Sequence, residues 1–302
     1  MLLFMLYCLA WFVRDHRMRL ALLSGLTFLL IFTGFGLFVG LLTPLLLLVE
    51  GAQALRACEW RRTWWIGGAL VVIGVAWVVF AHGYYFAPAV DGFRFPYEKP
   101  WEYAWFVGLM LANLYGVPGS GPWAIACGLA VAVTLASLCG WHSWRLLRRG
   151  VAKEPRSAVI FSLAAFALTY CANTAVGRVC LGLEGGAPAS SRYLTLMIPA
   201  GLAIFLHIAT LSVPRRAQGL GLAYAGLLLF GTLYLQRGDR DTIRWYSDGR
   251  RAWKAAYLAT HDAVQATRQA NFPIHPFPDT LTERLQFLEK HRLNLFKPDG
   301  QP

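Results

Sequence analysis

Residues 20–49 read LALLSGLTFLLIFTGFGLFVGLLTPLLLLV, an unbroken stretch without one charged side chain. As a single helix it would be about 45 Å long, against a bilayer hydrocarbon core of about 30 Å. Arginines stand at both ends: Arg14, Arg17 and Arg19 before it, Arg56, Arg61 and Arg62 after it. Loops rich in Lys and Arg stay on the cytoplasmic side of a membrane. Both ends of the stretch therefore belong on one side, and the chain must turn back within it. Thr33-Gly34-Phe35-Gly36 is the place to turn. The two halves are each short for a comfortable crossing, which predicts a tight or re-entrant hairpin. Gly36 and Gly40 form a small-xxx-small pair that lets helices approach closely.

The same reading extends outward. Apolar runs recur at 1–13, 64–81, 121–140, 158–176, 194–212 and 219–235, and a shorter aromatic-rich run lies at 102–114. Of the 302 residues, 57% are hydrophobic and 15% charged, where a soluble domain has about 25% charged. In a bilayer every backbone polar group must be satisfied internally, which helices achieve. The fold class is therefore all-α, a polytopic transmembrane bundle of about six to eight membrane helices with one broken hairpin. It occupies residues 1–235, and a small helical tail fills 236–302.

Charge sets the orientation. The loops at 14–19, 50–63, 141–157 and 213–218 carry 13 Lys/Arg, and those at 82–101 and 177–193 carry four. The first set is read as cytoplasmic. The segment 102–114 then lies on the outer face as an interfacial helix, and the C-terminus is extracytoplasmic, in a bacterial cytoplasmic membrane. The formal net charge of +12 is distributed as a membrane topology signal rather than as a phosphate-tracking patch, so no nucleic-acid partner is expected. In the tail, a helix is expected over about 241–268, with Tyr246, Trp253, Tyr257 and Val264 near one face. After Pro273, Pro276 and Pro278, Thr280 and Glu283 form a capping-box pattern ahead of Leu281, Leu285 and Leu288. The six cysteines read as small apolar packers, with Cys171 and Cys180 close enough in sequence to leave a disulfide open.

The most distinctive local pattern is 177–193, GRVCLGLEGGAPASSRY. Two arginines, Arg178 and Arg192, bracket a glycine-rich turn at an expected outer boundary. Guanidinium forks fit phosphate, and glycines let backbone N–H groups approach an anion. With Ser191 and Tyr193 they form a candidate lipid-phosphate site. The alternative is that both arginines reach lipid headgroups generally and Glu184 pairs with one of them. In the other outer loop, Tyr84, Tyr85 and Glu98 suit the recognition of a sugar, or simply an aromatic belt. Asp91 is the candidate general base, with Glu98 and Glu102 nearby. His207, Asn173 and Thr174 are polar groups within apolar runs. The chain contains no Walker loop, HExxH, CxxC or G-x-S-x-G pattern, so those chemistries have no support, and no cofactor or metal is indicated.

The stretch from the 158–176 run through Ser191-Arg192-Tyr193, with Arg178 and Gly182 upstream of the latter, resembles a group of bacterial multi-span membrane proteins. That group is distantly similar to the GT-C class of glycosyltransferases, which use polyprenyl-phosphate sugars. The hairpin around Gly34-Phe35-Gly36-Leu37-Phe38-Val39-Gly40-Leu41-Leu42-Thr43-Pro44 and the ending Leu285 to Phe296 share the resemblance. It implies membrane lipid and a polyprenyl-phosphate-linked sugar as partners, and glycosyl transfer or glycan handling at the outer face. GT-C enzymes carry their catalytic acid in an early outer loop, so the resemblance implies a later half without that N-terminal catalytic part. A transporter, or a non-catalytic partner of another membrane protein, is the rival expectation.

Overall fold

The computed structural model describes residues 2–34, 36–84, 93–117, 119–183, 191–274, 281–293 and 296, with the backbone alone for 191, 192 and 235–239. All regular structure among them is helical: α1 Leu2–Ala10, α2 His16–Ile31, α3 Leu37–Arg56, α4 Trp60–Gly83, α5 Trp101–Leu114, α6 Pro122–Arg149, α7 Pro155–Arg178, α8 Ser191–Ala209, α9 Pro214–Thr260, α10 Ala263–Ala270 and α11 Thr282–Lys290. The chain divides into two compact units, Met1–Thr232 and Leu233–Pro302. The first is an all-α bundle of an integral, multi-pass membrane protein. Five helical stretches among the described residues are long and apolar enough to cross a bilayer: Leu37–Arg56, Trp60–Gly83, Pro122–Arg149, Pro155–Leu181 and Pro214–Tyr234.

The α2–α3 hairpin turns where expected. Helix α2 begins on Asp15, whose side chain accepts from the Met18 N–H at 2.8 Å. It ends at Ile31, and Gly34 takes φ +76° in the turn, a conformation that glycine adopts without a Cβ penalty. The expected shortness of both halves does not hold for α3, which has 20 residues, or about 30 Å. Its helix continues through Glu50 and Gln53 because both polar side chains find partners on neighbouring helices. Gly40 admits the edge of Trp77, whose Nε1 donates to the Gly40 carbonyl at 3.0 Å, binding α3 to α4.

Helix α7 is the central element: 72% of its apolar window is buried, against 22% for α4 and α6 and 11% for the membrane portion of α9. It packs against α3, α5, α6 and α8. The core around it joins Phe4, Tyr7, Phe38, Phe106, Leu135, Phe166 and Tyr170. A second cluster, with Leu47, Ile66 and Ile73, holds α2, α3 and α4 together. The outer helices turn apolar side chains outward, such as Val71, Val75 and Val78 on α4, the expected face toward lipid. Exposed tryptophans mark two levels. Trp123 stands at the start of α6 and Trp141 eighteen residues on, about 27 Å apart along the helix. That separation matches a hydrocarbon core flanked by aromatic belts.

Helix α5 differs from the expected interfacial helix. Phe106 and every residue from Gly108 to Asn113 are buried, and the helix packs against α6, α7 and α8. Gly108 and Gly128 make this possible, since a Cβ on Gly128 would fall on the Gly108 carbonyl. An aromatic-rich run reads as a surface belt only until such a small-residue seam gives it a partner.

In the second unit, the expected helix at 241–268 is instead the end of α9 followed by α10. His261 adopts φ +51°. Asp262 then caps α10, its Oδ1 accepting from Val264 N at 2.7 Å and Gln265 N at 3.0 Å. Trp253 and Tyr257 stack at 5.2 Å and pack with Ala263, Ala266, Phe272 and Leu285. The expected capping residue Thr280 lies outside the described residues.

Candidate functional site

One end of the first unit is built from charge. Glu50, completely buried on α3, accepts at Oε1 from the Arg19 guanidinium of α2 and from Arg62 Nη2 of α4 at 2.9 Å. His16 Nδ1 stands 3.7 Å from the same oxygen. Arg62 also donates to Glu59 at 2.8 Å, and hydrogen bonding from Arg62 holds the Glu59 carboxyl below its ordinary range. Gln53, one turn beyond Glu50, caps the end of α6: its amide donates to the Leu146 and Leu147 carbonyls at 2.9 and 3.3 Å and accepts from Val151 N at 3.1 Å. Past that cap, Glu154 accepts from Arg145 at 2.8 Å, Arg149 at 3.2 Å and Ser157 at 3.1 Å. Desolvation pushes its carboxyl upward, but these hydrogen bonds and the Arg145 charge outweigh it and hold the group below its ordinary range.

These contacts gather the connections after α1, α3 and α6 at one end. The loop after α8 joins them through His207, whose Nδ1 lies 3.1 Å from His142 Nε2 on α6. The four loops grouped by charge thus share one end of the bundle. Among the described residues no group of three or more His, Cys, Asp or Glu could hold a metal ion. Its chemistry is electrostatic. Two arginines converge on one carboxylate, leaving Glu50 Oε2 and the Nε atoms of Arg19 and Arg62 without hydrogen-bond partners among the described residues.

The opposite end carries the residues singled out by sequence. Arg178 closes α7, half-buried, and Tyr193 lies near the start of α8, partly packed on the main core. Helices α7 and α8 pack together, so the two residues face the same boundary. Ser191 and Arg192 form the first turn of α8, and their side chains are outside the description. Arg178 makes no ion pair among the described residues. Tyr84 is exposed at the end of α4, its ring 4.9 Å from that of Phe80. Glu98 is exposed and engaged by Arg94 at 2.7 Å. Glu102 pairs with Lys99 at 3.4 Å. Asp91 and Tyr85 lie outside the described residues, as does Glu184. Thr174 donates to the Tyr170 carbonyl within its own helix. The six cysteines are free, and the Cys171 thiol lies 3.3 Å from Met197 Sδ.

Sequence reasoning missed Glu50 and His142. Glu50 falls in the expected loop 50–63, although an acid directly after an apolar run between two arginine clusters is a signal of a buried pair. His142 sits in a basic stretch that masked its burial. No protein-family model, curated protein or solved structure matches the chain.

Proposed function

We propose that the protein sits in a bacterial cytoplasmic membrane with its charged, cross-linked end inside, and binds a polyprenyl-phosphate-linked glycan at the extracytoplasmic face, akin to GT-C proteins. The observation that carries the reading is Arg178. Of the described cations between α4 and α8 at that boundary, Arg94 and Lys99 each have an acid partner, whereas Arg178 has none among the described residues. A half-buried guanidinium with no carboxylate partner among the described residues, four positions before Gly182 at φ +87°, suits a phosphate oxygen. Arg192 and Ser191, in the first turn of α8, would complete the grip.

Glycosyl transfer needs a general base, and pairing engages both Glu98 and Glu102. Asp91 is the acid left to that role. The same pairing favours a second reading, a glycan-lipid binding partner without catalysis. The two separate by turnover of a polyprenyl-phosphate sugar in the wild type and in Asp91→Asn.

The double variant Arg178→Gln/Arg192→Gln tests the site. In nanodiscs it should bind polyprenyl phosphate about tenfold or more weakly, the loss of charge-assisted hydrogen bonds. Equal binding overturns the site. Cys58, exposed between α3 and α4, tests the orientation: as the only cysteine retained, it should resist an impermeant maleimide in intact cells. Ready labelling would reverse the assignment of faces.

A further inference from the structure

A groove between α1, α7 and α8 encloses about 520 Å³. Its walls are apolar, with Phe4 and Leu9 from α1, Leu163 from α7 and Leu206 from α8 among them. Arg156 is its one charged lining residue among those described, and it stands with Thr210 at the charged end of the bundle. Along α8 the groove runs from Pro199 to Thr210, about 16 Å. That is half of a hydrocarbon core of about 30 Å, the depth of one leaflet.

The position of Arg156 is electrostatically unrewarded. It is the second residue of α7, where the helix field disfavours a cation and favours an anion. Pro155 has no N–H and the Ala158 N–H is taken by the Glu154 carbonyl at 3.0 Å, so the N–H groups without an intrahelical acceptor are those of Arg156 and Ser157. The adjacent acid, Glu154, is already engaged by Arg145, Arg149 and Ser157. Arg156 is exposed and makes no ion pair among the described residues. An unbalanced guanidinium thus stands at the mouth of an apolar slot one leaflet deep.

We infer that this groove holds one chain of a phosphate-bearing anionic lipid from the leaflet at the charged end, with its phosphate on Arg156. Charge complementarity selects the headgroup, and the length of the slot selects a chain that enters from the adjoining leaflet. The site is separate from Arg178 and independent of which face of the membrane is inside.

The test is native mass spectrometry of the full chain, delipidated and titrated with phosphatidylglycerol or phosphatidylcholine. The wild type should retain phosphatidylglycerol in preference. Arg156→Gln should weaken that retention about tenfold and erase the preference. Leu206→Trp, which fills the slot, should lower retention with Arg156 intact. Arg148→Gln removes a cation at the same end that lies over Trp144, outside the groove, and should leave retention unchanged. Equal retention of both lipids by the wild type overturns the inference. So does unaltered retention by Arg156→Gln, or a loss in Arg148→Gln as large as that in Arg156→Gln.

Discussion

Replacing Glu50 by Gln keeps the volume of the side chain and removes the charge on which two helices converge. Arg19 is the partner that suffers, since its side chain is 5% exposed and Glu50 is its ion-pair partner among the described residues. Arg62 suffers less, being 27% exposed and still bonded to Glu59. Removing one member of a buried pair costs about 3–5 kcal/mol, because the remaining charge is left uncompensated. With Arg62 discounted for its exposure, the lower end applies, about 3 kcal/mol. For the first unit, Met1–Thr232, that corresponds to a Tm lower by about 6–12 °C, measured by thermal unfolding in detergent. The combined variant Arg19→Leu/Glu50→Leu should fall closer to the wild type than Glu50→Leu alone, since it buries no orphaned guanidinium. A Tm for Glu50→Gln within about 2 °C of the wild type would refute the view that this carboxylate clamps α2, α3 and α4. So would a double variant less stable than the single one.

Other perturbations bear on separate contacts. Gly128→Leu would drive a side chain into the Gly108 backbone and should lower the Tm by several degrees, since overpacking costs about 1–3 kcal/mol. Glu154 has a depressed carboxyl pKa in the folded state, so its contribution is complete above the unfolded value of about 4.3 and is lost as pH falls through the folded one. Glu154→Gln should therefore flatten the fall in Tm between pH 6 and pH 3, about the range in which carboxylates titrate. Gly249→Val in the second unit meets the Phe272 ring and should loosen packing around Trp253, seen as a red shift of tryptophan fluorescence.

Much of the first unit was legible because bilayer constraints act on long runs of sequence. Apolar length located α4, α6 and α7, and the arginine clusters grouped four loops that the hydrogen bonds of Glu50, Gln53 and His142 bring to one end. What could not be read depends on pairs distant in sequence. The burial of α5 rests on Gly108 meeting Gly128, and neither glycine announces its partner. The extension of α3 to Arg56 rests on Gln53 meeting the end of α6 across 93 residues. The break at His261 depends on Asp262 acting as a cap, which the helical periodicity of 241–268 conceals. The candidate site rests on a sequence pattern, Arg178 and Arg192 around a glycine-rich stretch, whereas the pairing of Glu98 with Arg94 and of Glu102 with Lys99 emerges only from the structure.

Two groups of cations in the first unit differ physically, and the difference bears on function. Arg19, Arg62, Arg145 and Arg149 sit on carboxylates buried or nearly so. Their charge is consumed in joining helices, and little remains to recruit an anion. Arg156 and Arg178 occupy opposite ends of the same central helix, α7, and neither has a carboxylate partner among the described residues. At the C-terminal end the helix field favours Arg178 without any ligand. At the N-terminal end the same field opposes Arg156, and an anion there would offset the guanidinium charge. The stronger physical demand for a ligand therefore lies at the charged end, although the sequence pattern drew attention to the other.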